Sequence, residues 1–309
     1  MLYTVTMNPA LDKTATIEEF EVGEVNRITS LRQDPGGKGI NVSKVAKKLG
    51  TASTAFAILA GSTGRKIASM VEDAGICLEA FEVEGETRTN LKVADPKLGT
   101  NTDINEPGPT IGKSDVQAFT ESLEKRVEPG DVVVISGSIP RGVAPQIYAE
   151  MTRALKNAGA KVFVDADGEP LKYALDAQPN LIKPNDVELS RLLNKKLDGE
   201  KDVAQAAQEL VAQGIETVVV SMGGDGAVFA QDGVTLFARA PKVKVGSTVG
   251  AGDSVVAAMA HAMLAGLDLE DAARLAVATG SANVMCSGTQ PAELSVIEEL
   301  KPQVSIQVI

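Results

Sequence analysis

No apolar run in this sequence approaches the roughly 20 residues that a membrane-crossing helix needs. The opening Met1-Leu2-Tyr3-Thr4-Val5-Thr6 lacks both a basic stretch and a long apolar one, so it reads as a strand and not as a signal peptide. Cysteine is scarce. Cys77 and Cys286 have no metal-ligand spacing and are expected to be reduced, buried thiols. Positive charge is in deficit: the net charge of −11 excludes a general nucleic-acid binder, because a globally negative field repels a phosphate backbone. Neither membrane nor nucleic acid is expected as a partner, and the expected location is the cytoplasm. The one histidine, His261, lies among alanines and methionines in a helical stretch and is assigned to packing. Two common nucleotide fingerprints are missing as well. Gly37-Lys38 is followed by Gly39 with arginine at position 32, so there is no Walker A loop. Gly250-Ala251-Gly252 is followed by Val255 where a dinucleotide fingerprint wants a third glycine or alanine. Internal repeats, low-complexity tracts and long linkers are absent too.

What is present is an alternation of strand and helix patterns over 309 residues, 44% of them hydrophobic. Leu2–Met7 is an apolar strand. A helix is predicted over Ile40–Leu49 and closed by Gly50, then a strand over Ala55–Leu59 and a helix over Ile67–Ala74 stopped by Gly75. Asp131–Ile135 is a continuous apolar run, as in a strand buried on both faces. Ile147, Met151, Leu155 and Ala158 fall at helical spacing ahead of Gly159. Lys161–Val164 and Thr217–Val220 read as strands, with a helix between them at Val203, Ala206, Ala207, Leu210 and Val211. Two helices, around Ser254–Leu264 and Leu269–Met285, are expected as the last elements of the pattern. This order predicts an α/β fold with a mostly parallel central sheet and helices on both faces. Short alternating segments at Thr14–Ile17 and Thr89–Val93 break the rhythm. Residues 11–35 and 86–105 are therefore expected to form a small β lid, leaving 1–10, 36–85 and 106–309 as the core.

The strongest chemical signal is Ser247-Thr248-Val249-Gly250-Ala251-Gly252-Asp253, which runs straight into a helical pattern. Free amides and the positive dipole end make a helix start an anion site, and glycines let the backbone approach a phosphate. An aspartate there would repel phosphate, but it makes sense as a base that takes a proton from an attacking hydroxyl. The plainer alternative is a glycine-rich turn followed by an ordinary first-turn aspartate. A second signal, Pro35-Gly36-Gly37-Lys38-Gly39-Ile40-Asn41, precedes a helix and offers space, a charge and an amide that both donates and accepts. A solvated loop with a surface lysine is its plain alternative.

In this order and this far apart, the two motifs resemble the C-terminal D/S-T-x-G-A-G-D and N-terminal GG signatures of the ribokinase/PfkB family of carbohydrate kinases. The resemblance covers essentially the whole chain. It implies a ribokinase-like fold, ATP and Mg²⁺, with Asp253 as general base and the amides of Gly250, Ala251, Gly252 and Asp253 stabilising the transferring phosphoryl group. Lys183-Pro184-Asn185-Asp186-Val187-Glu188 is similar to the family's N-x-x-E motif, which helps organise Mg²⁺ and phosphates. Asn185 and Glu188 share a helix face, and Mg²⁺ favours oxygen ligands and retained waters. A capping box accounts for the same pair. Asp165, at a strand end, matches the position near the metal. Ser221, Gly223 and Gly226 resemble the nucleotide loop, where a simple hairpin turn is the alternative. Lys183, Ser247, Thr248, Val249 and Asn283 complete the implied nucleotide contacts, with the adenine near the last helices. Asp12, in Asn8-Pro9-Ala10-Leu11-Asp12, matches the sugar-contacting aspartate, joined by Gly37, Asn41, Asn90 and Ser136.

Arg27 and Arg88 fall in the predicted lid strands. With Lys38 they are expected to neutralise a phosphate already on the sugar, since guanidinium forks match phosphate oxygens in pairs. The implied reaction is phosphorylation of a ketohexose phosphate, fructose 1-phosphate to fructose 1,6-bisphosphate, with tagatose 6-phosphate and fructose 6-phosphate as alternatives. A non-catalytic sugar-phosphate sensor on the same fold is the competing class. Its simplest mark, loss of the aspartate, is absent here. Exposed lid edges would let two copies pair, so a homodimer is expected.

Overall fold

The computed structural model describes residues 1–309. Strands β1 (Leu2–Thr6), β2 (Ala10–Thr16) and β3 (Ser30–Gly36) lead into α1 (Lys38–Lys48), β4 (Ser53–Ala60), α2 (Gly61–Asp73) and β5 (Cys77–Val83). β6 (Arg88–Asp95) and β7 (Thr100–Asn105) come next, then α3 (Lys113–Glu124), β8 (Val132–Ser136), α4 (Ile147–Asn157), β9 (Lys161–Asp165) and α5 (Gly168–Leu175). β10 (Leu181–Ile182), α6 (Asp186–Leu193), α7 (Glu200–Val211), β11 (Thr217–Ser221), β12 (Gly226–Gln231) and β13 (Val234–Arg239) follow. Helices α8 (Ala251–Ala265), α9 (Leu269–Val284) and α10 (Leu294–Leu300) and strand β14 (Ser305–Val308) end the chain.

The large sheet has ten strands in the order β14-β13-β12-β11-β10-β9-β8-β1-β4-β5. The seven from β11 to β5 are parallel, while β12, β13 and β14 add antiparallel. Side chains along a strand alternate between faces, and in the central strands both faces are buried. In β8, Val133 and Ile135 enter the apolar layer under α3, α4, α5 and α7, and Val132 and Val134 enter the layer under α1, α8 and α9. β9 divides the same way, with Val162 and Val164 on one side and Phe163 on the other. This two-sided burial explains the unbroken apolar run.

A second sheet of four strands, β3-β2-β6-β7, stands beside the large one. Its register sets Asp12 opposite Asp34 on one neighbour and Asn90 on the other. No helix is long and apolar enough to cross a membrane.

Three expectations need correction. α2 begins at Gly61, well ahead of Ile67. Its first turn, Gly61-Ser62-Thr63-Gly64, carries no apolar periodicity, and its capping group comes from outside the helix. Cys77 is exposed and Cys286 is partly so, because Cys77 opens the edge strand β5. The β12–β13–β14 extension has no counterpart in the predicted pattern. His261 is half-buried and bonds through Nδ1 to the Thr51 hydroxyl at 2.7 Å. Burial, with help from Lys301, lowers its pKa, so it is a neutral link between α8 and the end of α1.

Phe119 is fully buried and meets Phe56 and Phe81 edge to face, at centroid distances of 6.4 and 5.8 Å. Phe119→Ala is expected to cost about 3–5 kcal/mol. Denaturant unfolding checks this, and a loss under about 1 kcal/mol would show that the layer recloses around the gap.

Candidate active site

One cavity of about 1150 Å³ opens at the C-terminal ends of the parallel strands. Thr6 of β1, Ser136 of β8, Asp165 of β9 and Ser221 of β11 all line it from their strand ends, and Lys183 lines it just beyond β10. Open α/β sheets bind ligands on this edge because loops and helix starts converge there. Asp12, Arg88 and Asn90 of the small sheet wall the opposite side.

At the bottom lies a buried group of charges. Asp165 is 1% exposed, and its Oδ1 accepts from Lys38 Nζ at 3.1 Å and lies 3.5 Å from Lys183 Nζ. Burial pushes this carboxyl up, but the two ammonium groups outweigh burial and hold it below the usual range. Lys38 is correspondingly raised: burial opposes its charge, and Asp165 and Asp253 more than restore it. Asp253 is shifted the other way. Burial first and the charge of Asp165 second push its pKa up, against Lys38, the Asn41 hydrogen bond and Lys183. Two neighbouring carboxyls are thus driven apart, one firmly ionised and the other disposed to take a proton.

Asp253 owes its place to two helix starts. It sits in the first turn of α8, whose N-cap Gly250 has φ 82°, a left-handed conformation that glycine adopts without strain. The first full-turn bond in α8 runs from Ser254 N to Gly250 O at 2.9 Å, so the amides of Gly252 and Asp253 precede the helical ladder. Asn41 of α1 donates from Nδ2 to Asp253 Oδ2 at 2.8 Å and so ties the two glycine-rich motifs together.

Asn185 and Glu188 form a complete capping box on α6, at 2.8 and 2.9 Å, and both line the cavity. The Asn185 side-chain oxygen is thereby committed to the helix. Ser221, Gly223 and Gly226 border the cavity from the β11–β12 hairpin, whose turn is Gly223–Asp225. Thr248, Val249, Gly250, Ala251 and Gly252 line it as well. At the far end Asn90 donates to Asp12 Oδ1 at 2.9 Å, and burial raises the Asp12 carboxyl. The Arg88 guanidinium donates twice to the Asn8 carbonyl, from Nε at 3.2 Å and Nη2 at 3.0 Å, and burial lowers its pKa.

The structure does not assemble the expected trio of Arg27, Lys38 and Arg88. Arg27 lies exposed in the connection between β2 and β3, outside the cavity. Lys38 is drawn by Asp165 to the bottom of the site. Ser247 and Asn283 also stay off the cavity wall. The Ser247 hydroxyl accepts from Val249 N at 3.3 Å, and Asn283 donates to Gln290 O at 3.1 Å, so both shape neighbouring loops. Gly37 and Asn41 line the cavity as expected.

Asn8 and Ser138 also face the cavity, linked to each other at 3.3 Å. Each follows the end of a parallel strand, which was the signal available for finding them. Val243, Val245, Val277 and Val284 give one end an apolar wall. In the sequence these valines are indistinguishable from core.

Six side-chain atoms of cavity-lining residues are buried with no protein partner: Asn8 Oδ1, Asn41 Oδ1, Asn90 Oδ1, Ser136 Oγ, Asp165 Oδ2 and Thr289 Oγ1. Buried polar atoms are normally paired, so their gathering in one cavity marks a polar ligand site. No three His, Cys, Asp or Glu side chains cluster tightly enough to chelate a metal. The oxygens present, the free Asp165 Oδ2 and the Glu188 carboxylate, suit an ion that keeps most of its waters.

A strand-end cavity with a glycine-rich helix start, a first-turn aspartate and a polar opposing wall is the site of a phosphotransferase acting on a hydroxyl. Residues 5–295 match the pfkB family carbohydrate kinase description, and the chain belongs to that family. It is 39% identical to the 1-phosphofructokinase of Bacillus subtilis (strain 168) over 99% of both chains. It is 32% identical to a tagatose-6-phosphate kinase of Staphylococcus epidermidis, again over 99% of both. The crystal structure of Escherichia coli phosphofructokinase-2 in complex with fructose-6-phosphate superposes with a TM-score of 0.92 at 32% identity, over 98% of each chain.

The charge arrangement has a consequence for stability. A carboxyl whose folded pKa exceeds its unfolded value binds its proton more tightly when folded, so stability falls as pH rises above that unfolded value, 3.8 for aspartate. Asp253→Asn is therefore expected to melt higher than the native protein at pH 7, with the gap closing as pH falls towards 3.8. Thermal melts across pH check this. Equal melting at pH 7, or a gap independent of pH, would contradict it.

Proposed function

We propose that the protein transfers the γ-phosphoryl group of ATP to the C6 hydroxyl of fructose 1-phosphate, giving fructose 1,6-bisphosphate. The observation that carries this reading is the position of Asp253, a buried carboxyl with a raised pKa beside the free amides of α8, between the valine-lined end and the polar end of one cavity. Adenine fits the valine wall, and its phosphates run towards Gly250 and Gly252. The sugar lies against Asp12, Asn90, Asn41 and Ser136. Arg88 neutralises the phosphate it already carries, and no other arginine reaches the cavity wall.

Asp253 accepts the C6 hydroxyl proton as that oxygen attacks, and the amides of Gly252 and Asp253 hold the negative charge on the equatorial oxygens. Lys38, held by Asp165, reaches the same charge from below. Mg²⁺ would be held by Asp165 and Glu188 through water and would neutralise the β- and γ-phosphates. The Asn185 amide then donates to a phosphate oxygen, its own oxygen being spent on the helix cap. The small sheet covers the sugar and keeps water from the phosphoryl group.

Relatives bearing other names share the fold, so tagatose 6-phosphate and fructose 6-phosphate remain the competing acceptors. A second copy of the chain is proposed to cover the small sheet and its β2–β3 connection, where Val22, Val25, Ile28, Leu31 and Ile104 are exposed.

ADP release with Mg·ATP and each sugar phosphate tests the reading. The highest kcat/KM is expected for fructose 1-phosphate. A higher value for either 6-phosphate would reverse the sugar in the site, and no turnover of any would leave the sensor. Asp253→Asn is expected to lose about 10²–10⁴-fold in kcat. Near-native turnover in that variant would remove Asp253 from its role.

A further inference from the structure

The small sheet joins the large one through four connections, β1 to β2, β3 to α1, β5 to β6 and β7 to α3. The third delivers Arg88, the first residue of β6, and two residues later Asn90. It is also the connection bonded to the start of α2. Thr87 is 2% exposed, and its Oγ1 accepts from Ala60 N at 2.7 Å while its own amide donates to Ala60 O at 3.0 Å. Ala60 ends β4, so Thr87 is fixed to the large sheet by two bonds. Glu86 is exposed on top of this anchor. Its carboxylate accepts from Thr63 N at 2.5 Å, Ser62 N at 3.2 Å and Ser62 Oγ at 2.9 Å.

α2 supplies no side-chain cap of its own, and Glu86 satisfies its free amides from another segment. Gly61 makes this approach feasible. A Cβ there would stand 2.0 Å from Glu86 Oε2, and its φ of 63° is left-handed. Glu106 extends the chain of contacts on the far side, accepting from Thr89 N at 2.8 Å.

We infer that Glu86 and Thr87 are positioning residues for the sugar-phosphate side of the site, pinning the third connection to α2 so that Arg88 and Asn90 stand at the cavity wall. The inference rests on the proposed function and deepens it. Neither residue lines the cavity, so neither touches a substrate. The pin acts on the sugar end alone, because the nucleotide end is built from α8, α9 and the β11–β12 hairpin, none of which contacts Glu86 or Thr87 through a hydrogen bond. The bonds from Thr63 and Ser62 hold the Glu86 carboxyl down to about 2, so the pin is charged throughout the working range and is not a pH switch.

The test uses Thr87→Val, which keeps the shape and removes the hydroxyl, Glu86→Gln, and Thr87→Ser as the conservative rescue. Two readouts are taken: KM for fructose 1-phosphate and for ATP, and amide hydrogen exchange of β6, β7 and α8. In Thr87→Val and Glu86→Gln the sugar-phosphate KM is expected to rise by about 3- to 100-fold while the ATP KM holds within about twofold, a misplacement effect rather than a loss of fold. Exchange should quicken in β6 and β7 and not in α8, and Thr87→Ser should restore both readouts. If Thr87→Val fails to fold, Glu86→Gln, an exposed change, carries the test. Equal shifts in both KM values, or unchanged exchange in β6 and β7, would overturn the inference and reduce the pair to a helix cap. Faster exchange in β6 and β7 from a protein that turns over no sugar phosphate would keep the pin and remove the reading of function.

Discussion

The site depends on one buried carboxylate. Asp165 stands at the end of β9 with two lysines on one of its oxygens. Burying that charge alone would be costly, and Lys183, with 6% of its side chain exposed, would be as unwelcome alone, whereas Lys38 reaches the pair from the open side of the cavity. Together they fix a local balance in which Asp253 carries the strain. Two positive neighbours hold down one carboxyl, and the remaining repulsion and burial fall on the other. The base role proposed for Asp253 calls for a proton affinity above that of a solvated aspartate, and burial beside Asp165 shifts it in that direction.

The rest of the fold serves to bring these groups together from distant parts of the chain. The parallel order of β11 through β5 sends five strand ends to one edge, and the glycine-rich starts of α1 and α8 close on it. The Asn41–Asp253 bond joins residues far apart in sequence, and it exists because α1 and α8 pack on the same face of the sheet. On the opposite wall, the small sheet contributes Asn90 Oδ1, one of the buried polar atoms around the cavity that lack partners within the protein. A ligand that pairs them while its other end rests on valine must be amphiphilic in the way a nucleotide and a sugar phosphate are when laid end to end.

Much of this was legible in the sequence. The α/β alternation, the small accessory sheet and both glycine-rich motifs follow from periodicity and from helix-start chemistry, and Asp253 and Asn41 of those motifs line one cavity; Asp12 and Asn90, which line it too, are expected only from the family resemblance. What local pattern could not carry was pairing across the chain. Lys38 looked free to meet a substrate phosphate, and its capture by Asp165 is a long-range contact. Arg27 sat in a stretch that alternates like a strand, but it falls in a turn-rich connection exposed to solvent. Cys77 is expected to be buried because cysteines are few and lack metal-ligand spacing, but β5 is the sheet's edge and shows an outward face. The valine wall was hidden for the opposite reason, since an apolar ligand surface and a core are written in the same residues. The start of α2 was missed because its cap, Glu86, is contributed by a separate segment.

The central claim is that Asp253 is the group that meets the acceptor hydroxyl. A crystal structure of the protein with fructose 1-phosphate and a non-hydrolysable ATP analogue tests it most directly. The predicted result is a C6 oxygen within about 2.6–3.2 Å of the Asp253 carboxylate and in line with the terminal phosphoryl group. A C6 hydroxyl bonded instead to Asp12, with Asp253 still engaged only by Asn41, would contradict the account.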